Sequence, residues 1–204
     1  MNFFMEALTI KNEMVRKCIH LALILIPLGY TFLAKKTMLI LLGSAILIAA
    51  AVELTRSLWP GFSRLFYRLT GKLLREHERS GLTGATYFFI GSFVTILFFE
   101  KWIALVALFF VVVSDGLGAM VGRLVGKHHL YSDKSIEGCL VFIGTAVAAL
   151  FMVSGVTIPI GIAGAVSAFL IDVFVKGIDD NFAIPLGSGM VMQILFWIDK
   201  SSLN

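Results

Sequence analysis

Residues 102–125 read WIALVALFFVVVSDGLGAMVGRLV, and this stretch decides the class of fold. It is long enough to cross a bilayer as one helix, because about 20 apolar residues span the hydrocarbon core. It nevertheless carries Asp115, two residues after the end of an unbroken apolar run. A carboxylate in the middle of a membrane costs about 2.5–3.5 kcal/mol, so the chain has to neutralise it or use it. The stretch therefore predicts a membrane-spanning helix that carries a functional acid.

The rest of the chain has the same apolar character. Hydrophobic residues make up 58% of the 204 residues, charged residues 15%, and the mean hydropathy is +0.93. A soluble domain carries about 25% charged residues. These values predict an all-α polytopic integral membrane protein, with a single membrane domain over residues 1–204 and about seven transmembrane helices. The predicted spans are residues 15–33, 37–54, 82–99, 102–125, 136–153, 158–175 and 182–198.

Two polar segments are predicted to lie on the membrane surface. Residues 1–14 mix apolar and charged side chains and predict an interfacial N-terminal segment. Residues 57–80 alternate basic and apolar side chains at helical spacing, which predicts an amphipathic interfacial helix in a cytoplasmic loop. The net charge of +4 comes from scattered residues and not from one long tract. It therefore indicates loops that face an anionic inner leaflet and does not indicate nucleic-acid binding.

The basic residues also predict the orientation of the chain. Thirteen of the 17 lysines and arginines fall on one side of the predicted spans, which is therefore the cytoplasmic side. All acidic residues except Glu100 and Asp199 fall on that side too. A transporter is expected to place polar groups near the midplane. One-sided clustering favours chemistry between a soluble cytoplasmic molecule and a lipid, which we expect in the cell membrane of a prokaryote.

Residues 114–138, SDGLGAMVGRLVGKHHLYSDKSIEG, predict the nucleotide-binding part of such a site. On a helix, Asp115, Gly118 and Gly122 lie on one stripe, where small residues allow a ligand or another helix to approach the backbone. Lys134 and Ser135 stand at a predicted helix start, which is suited to binding phosphate. Equally, Ser135 is suited to an N-cap and Lys134 to a positive-inside anchor. For Lys134 and Ser135, a phosphate-binding role and these structural roles are compatible with each other.

Three further clusters belong to the predicted cytoplasmic side. Residues 179–181, Asp-Asp-Asn, offer oxygen ligands for Mg²⁺ or an N-terminal cap for the last span. Arg16, Lys17 and His20 open the first span, either to close the site or to serve as a basic anchor beside a buried histidine. Glu78 borders the amphipathic loop, either as part of the site or as one member of a solvated ion pair.

Together, these motifs resemble the CTP-dependent polyprenol kinases, which include dolichol kinases and phytol kinases. The resemblance covers residues 14–187, and the motifs occur in the order of the family. They are Arg16-Lys17-x-x-His20; Glu53-x-x-Arg56; Leu74-Arg75-Glu76-x-Glu78 followed by Leu82–Phe88; Asp115-Gly116-x-Gly118-Ala119-x-x-Gly122-Arg123-x-x-Gly126-Lys127; Lys134-Ser135-x-Glu137-Gly138; and Asp179-Asp180-Asn181-x-x-x-Pro185-Leu186.

The resemblance implies a membrane kinase that moves the γ-phosphate of CTP to the hydroxyl of an isoprenoid alcohol, with Mg²⁺ as cofactor. It implies three sets of site residues. The catalytic set is Asp115, Lys134, His20 and Glu78; the nucleotide-binding set is Arg16, Lys17, Gly118, Gly122, Arg123, Lys127, Ser135, Glu137 and Gly138; the metal set is Asp115, Asp179, Asp180 and Asn181. The base that accepts the proton of the lipid hydroxyl stays open between His20, Glu78 and Asp172.

Other functions stay open beside this one. The central aspartate, the glycines and the Lys-Ser-x-Glu-Gly turn are also similar to those of phosphatidate cytidylyltransferases, which join CMP to phosphatidate and release pyrophosphate. A CTP-dependent diacylglycerol kinase is a further alternative, because nothing in the spans measures the length of a lipid tail. A membrane transporter without catalysis is the most distant alternative.

Overall fold

The computed structural model describes residues 10–131 and 134–202. Most of the predicted N-terminal interfacial segment lies outside the described residues, and its last five residues belong to the first helix. The helices are α1 (Ile10–Ala22), α2 (Leu25–Phe32), α3 (Lys35–Leu58), α4 (Pro60–Thr70), α5 (Glu76–Ser80), α6 (Gly84–Phe98), α7 (Lys101–Phe109), α8 (Asp115–Val125), α9 (Ile136–Met152), α10 (Ile158–Phe174) and α11 (Asp180–Ser202).

An apolar helix occupies each of the seven predicted spans, and the all-α membrane class is confirmed. The first span consists of α1 and α2, with a break between them, and the fourth span consists of α7 and α8. Within the described residues, four segments are long and apolar enough to cross a membrane: Ile10–Phe32, Lys35–Leu58, Lys101–Val125 and Asp180–Ser202. The apolar helices α6, α9 and α10 are shorter, at 15 to 17 residues.

The fourth span is the central helix of the bundle. Within Lys101–Val125, 78% of the apolar window is buried inside the protein, against 11% for Lys35–Leu58. All of its side chains from Ile103 to Val112 are buried in the core, where they pack against α2, α6, α9 and α11. This burial accounts for a sequence that is apolar on every face of the helix. It also means that Asp115 directly follows the buried part of this span.

A π-helical turn, Phe110–Ser114, joins α7 to α8 just before Asp115. Such turns are rare and occur often at functional sites, because they shift the register of the helix after them. The Nε2 atom of His20 lies 2.8 Å from the carbonyl oxygen of Val111 in this turn. The periodicity of the sequence carried no sign of the turn, since every residue in it except Ser114 is apolar.

The amphipathic segment differs from the prediction in one respect. It forms two helices, α4 and α5, separated by residues 71–75, instead of one helix lying on the membrane. The separation arises because Arg56, at the end of α3, donates hydrogen bonds to the carbonyl oxygens of Glu78 and Gly81, at 3.0 and 2.6 Å. These bonds fold the second half of the segment back onto the bundle. Residues 129–135 also hold a short antiparallel pair of strands that the sequence did not predict, β1 (His129–Tyr131) and β2 (Lys134–Ser135).

Candidate active site

A cavity of about 400 Å³ opens where α8 and α11 begin and α10 ends. Residues from α1, from the loop before α5 and from the start of α9 complete its lining. Charged side chains of both signs face it. The carboxylates are Glu13, Asp115, Asp172 and Asp180, and the cations are Lys17, Arg75, Arg123, Lys134 and Lys176. Most residues that the sequence predicted for a site come together here from distant parts of the chain.

Asp115 is the most enclosed of these carboxylates, with a side chain that is 4% exposed. Its Oδ2 atom lies 2.7 Å from the Nζ atom of Lys17, and the ring of His20 lies 3.9 Å away. Lys134 approaches its other oxygen at 4.0 Å. A buried charge is tolerated when it is paired, and removal of one partner is strongly destabilising. The chain thus neutralises Asp115 with lysines from α1 and from β2.

Asp172 and Asp180 lie beside Asp115. Each of the three residues offers one carboxylate oxygen, and these three oxygens all lie within 4.8 Å of one another. Mg²⁺ prefers oxygen ligands and takes one or two carboxylates together with phosphate oxygens, so this group of residues fits the ion. The sequence had grouped Asp115 and Asp180 with Asp179 and Asn181. The signal for Asp172 was its position inside the otherwise apolar α10.

Lys134 holds this group together. Its Nζ atom lies 2.6 Å from Oδ1 of Asp172 and 4.0 Å from Asp115. Burial alone would lower the pKa of Lys134, but the carboxylates of Asp115 and Asp172 outweigh that effect and raise the pKa above its usual value. Lys134 therefore stays positively charged at neutral pH, which suits a group that binds phosphate oxygens.

Asp179 and Asn181 are turned away from the main cavity. Oδ1 of Asp179 accepts a hydrogen bond from the backbone N–H of Asn181, at 3.0 Å. The amide of Asn181 donates to the carbonyl oxygen of Gly84, at 3.2 Å, and its side chain borders a smaller pocket next to the cavity. Asp179 therefore caps the start of α11, as one of the two sequence interpretations expected. Its assignment as a ligand of the same metal ion as Asp115 stays a prediction.

The predicted glycines line the cavity and also pack two helices together. A Cβ atom on Gly138 would lie 2.6 Å from the carbonyl oxygen of Gly118, and one on Gly122 would lie 3.0 Å from Oγ of Ser135. The backbones of α8 and α9 therefore cross closely beside the cavity. Oγ of Ser135 accepts a hydrogen bond from the N–H of Gly138, at 3.1 Å, which makes Ser135 the N-cap of α9.

Of three other predicted nucleotide-binding residues, only one belongs to the lining of the cavity. Arg123 lines the cavity, whereas Lys127 is exposed and lies outside the lining. Glu137 also lies outside the lining, and its Oε1 atom lies 2.8 Å from Nδ1 of His128. That contact joins the start of α9 to the loop before β1. For Lys127 and Glu137, a role in nucleotide binding stays a prediction.

Arg16, His20 and Glu78 do not belong to the lining of the cavity. The guanidinium of Arg16 binds the carboxylate of Glu13, with its shorter hydrogen bond at 2.7 Å, and Arg16 and His20 border the smaller pocket. The two oxygens of Glu78 accept hydrogen bonds from the backbone N–H groups of Arg75 and Gly84, at 2.6 and 2.8 Å. Glu78 thus fixes the starts of α5 and α6.

Sequence reasoning gave no role to three charged residues that line the cavity, namely Glu13, Arg75 and Lys176. Glu13 stands three residues before Arg16, a spacing at which opposite charges pair on a helix. Arg75 belongs to a motif that carried the family resemblance. Lys176 had counted only as a basic loop residue. It is followed by Gly177, which also lines the cavity and adopts a positive φ of 85° that favours glycine.

Comparison with known proteins gives several relatives. The CTP-dependent diacylglycerol kinase 1 of Schizosaccharomyces pombe is 29% identical, over 91% of this chain and 94% of that protein. The kinase of the same name from Saccharomyces cerevisiae is 28% identical, over 90% of this chain and 73% of its own. An uncharacterised protein of Rickettsia prowazekii is 28% identical, over 85% of this chain and 90% of its own. No family model and no solved structure matches the chain.

Each of these matches covers at least 85% of this chain. The named relatives are phosphotransferases that act on a lipid and depend on CTP. The resemblance that the motifs indicated is therefore confirmed at this level. Over most of its length, this membrane protein is a homologue of the CTP-dependent lipid kinases.

Proposed function

We propose that this chain is a CTP-dependent diacylglycerol kinase, which transfers the γ-phosphate of CTP to the free hydroxyl of diacylglycerol. The relatives that carry a functional name are diacylglycerol kinases, which favours this lipid over the isoprenoid alcohols preferred from the motifs. The observation that carries the proposal is the cavity in which three carboxylates stand among five lysines and arginines. This combination suits a nucleoside triphosphate that binds with a divalent cation.

The cations of the cavity would bind the phosphates. Lys134 and Lys17 are paired with Asp172 and Asp115 in this state, and both ammonium groups face the same cavity. Asp115 and Asp180 would hold Mg²⁺. The ion would supply positive charge that offsets the negative charge developing on the phosphates during transfer. Lys17 and Lys134 would then turn from the carboxylates towards the phosphate oxygens, so that no charge in the cavity is left unpaired.

Asp172 is our proposed base for the lipid hydroxyl. His20 is turned towards the carbonyl oxygen of Val111, and both oxygens of Glu78 accept backbone hydrogen bonds. Asp172, in contrast, lines the cavity, and only its Oδ1 atom is bonded to Lys134. The carboxylate would accept the proton of the hydroxyl, whose oxygen forms a bond to the γ-phosphorus. The bond from that phosphorus to the β–γ bridging oxygen breaks, and CDP leaves with the electron pair.

The lipid would enter along α9 and α10. Phe142 and Cys139 from α9, together with Val175, supply an apolar part of the lining beside Asp172. The outer faces of these helices expose large apolar side chains, among them Leu140 and Phe174, as expected for surfaces that contact lipid tails. The excess of basic residues on this side of the spans supports a cytoplasmic position for the cavity. Diacylglycerol would then keep its tails in the membrane while its hydroxyl reaches Asp172.

The test uses the purified chain in detergent with Mg²⁺ and CTP labelled on the γ-phosphate. Transfer of label to diacylglycerol, in preference to phytol, farnesol and polyprenols, is the expected result. Transfer only to an isoprenoid alcohol would replace the proposed lipid. Release of labelled pyrophosphate with phosphatidate would favour the cytidylyltransferase alternative. Asp115→Asn should abolish transfer while the protein remains folded, and full activity of this variant would overturn the proposed metal site.

A further inference from the structure

A second group of possible metal ligands lies outside the set formed by Asp115, Asp172 and Asp180. It consists of His77 and Glu78 from α5 and Asp179 from the loop before α11. One ligand atom from each residue lies within 4.8 Å of the other two. The group joins two segments that are a hundred residues apart in the sequence, and both segments border the cavity through Arg75 and Asp180.

Asp179 supplies the observation that points to a ligand. Its side chain is 3% exposed, and its Oδ2 atom has no hydrogen-bond partner among the residues that the structure describes. The backbone N–H of Asn181 fixes the other oxygen, so Oδ2 is held in place. A buried carboxylate oxygen without a partner is costly, since it has lost its water. The Nε2 atom of His77 lies 3.9 Å from this oxygen, too far for a hydrogen bond.

Glu78 is prepared as a second ligand. Its two oxygens accept the backbone N–H groups of Arg75 and Gly84, which fixes the carboxylate. An ionised carboxylate has about four acceptor positions, so each oxygen keeps a lone pair for an ion. Metal-bound carboxylates are themselves hydrogen-bonded in this way. His77 is the accessible member, with a side chain that is 58% exposed, and it gives an ion a path from solvent.

We propose that His77, Glu78 and Asp179 bind a transition-metal dication of the Mn²⁺ or Zn²⁺ type. Imidazole nitrogen favours such ions over Mg²⁺, whose ligands are almost always oxygens. The bound ion would tie α5 to the start of α11 and so fix Arg75 and Asp180 at the edge of the cavity. This site lies beyond the proposed kinase function, because it needs no nucleotide and takes no part in the transfer of phosphate.

Mn²⁺ is the probe, added to the purified full chain in detergent without nucleotide, and binding is followed by loss of the free-ion signal in electron paramagnetic resonance. We expect one Mn²⁺ to bind per chain, excess Zn²⁺ to displace it and excess Mg²⁺ to displace it poorly. His77→Ala should weaken binding by about tenfold or more, the range found when support for a metal ligand is lost. Asp115→Asn should leave this binding intact, since Asp115 does not belong to this group of ligands and is already paired with Lys17.

His129→Ala is the matched control, because His129 is exposed and belongs to neither group of ligands. Equal Mn²⁺ binding by the wild type and His77→Ala would overturn the proposal, as would no binding at millimolar Mn²⁺ or loss of binding in Asp115→Asn alone. His77→Gln is a second variant that keeps a polar side chain at this surface position and guards against an effect on folding. A chain that binds Mn²⁺ through His77 but transfers no phosphate would refute the proposed kinase function and leave this site standing.

Discussion

Replacement of Lys17 by methionine tests whether the ion pair with Asp115 holds the first span against the central helix. The two charged atoms lie 2.7 Å apart, both side chains are buried, and the residues are 98 positions apart in the sequence. Methionine keeps the length and the apolar stem of lysine but removes the charge. Asp115 would then depend on Lys134, at 4.0 Å, and on His20, at 3.9 Å.

The expected loss of stability follows from these distances. At an effective dielectric constant of about 20, opposite charges attract by about 6 kcal/mol at 2.7 Å and by about 4 kcal/mol at 4.0 Å. Lys134 therefore compensates in part, although it is already bound to Asp172 at 2.6 Å. Loss of one partner from a buried pair costs about 3–5 kcal/mol, and this compensation places Lys17→Met near 3 kcal/mol. Asp115→Asn should cost a similar amount, because it leaves the ammonium of Lys17 buried without its closest partner.

The double variant separates the ion pair from other effects of each substitution. Lys17→Met with Asp115→Asn leaves neither charge behind, so its free energy of unfolding should exceed the additive value by about 1–3 kcal/mol. Stability is measured by SDS titration in mild detergent, followed by far-ultraviolet circular dichroism. The exposed Lys36→Met is the control and should change stability by less than about 0.5 kcal/mol. Additive losses would refute the coupling, whereas recovery of kinase activity in the double variant would refute the metal role of Asp115.

Three further predictions concern the cavity and its support. Asp172→Asn should lower the rate of phosphate transfer by about 10²- to 10⁴-fold with little change in CTP binding, measured by single-turnover transfer and equilibrium binding, because it removes the proposed base. Gly138→Ala should lose about 1–3 kcal/mol in the SDS titration because its Cβ meets the backbone of α8, whereas Gly144→Ala on the same helix meets no atom within 4 Å and should be neutral or stabilising. Arg56→Met should lower the free energy of unfolding by about 3–5 kcal/mol in the same measurement, because buried Arg56 makes two hydrogen bonds and an ion pair, while the exposed Arg64→Met should change it little. Equal losses of stability for Gly138→Ala and Gly144→Ala, or for Arg56→Met and Arg64→Met, would contradict these packing contacts.

The fold class could be predicted because the bilayer imposes it on the sequence. Apolar runs of about 20 residues have few alternatives to a helix, since backbone groups in lipid must be bonded within the chain. The breaks within elements could not be predicted in the same way. The π-helical turn at Phe110–Ser114 consists mainly of apolar residues, and the separation of α4 from α5 depends on hydrogen bonds from Arg56, a distant residue. Both features depend on tertiary contacts that local periodicity does not encode.

The residues of the site could be predicted better than their partners. Lys17, Asp115, Lys134 and Asp180 all face the cavity, as the clustering of charge on one side suggested. The sequence did not predict which of two neighbouring acids would face the cavity. Asp179 and Asp180 are adjacent and chemically alike, but Asp180 groups with Asp115, whereas Asp179, which precedes α11, groups with His77. A sequence motif gives spacing along the chain, whereas a metal site depends on the direction of each side chain in space.

The pairing of charges in the cavity argues for an order of binding. Two of the three clustered carboxylates, Asp115 and Asp172, are already bound to the ammonium groups of Lys17 and Lys134. A free divalent cation would have to displace a lysine and leave it beside a second positive charge, which opposes binding of the ion alone. The phosphates of a nucleoside triphosphate can pair with those same lysines. The metal ion and the phosphates therefore each gain partners when they enter together. The buried position of Asp115 strengthens this coupling, because charges interact more strongly where water is excluded. We therefore expect the cation to enter as its complex with CTP, and the proposed metal role of Asp115 would give this buried acid a function.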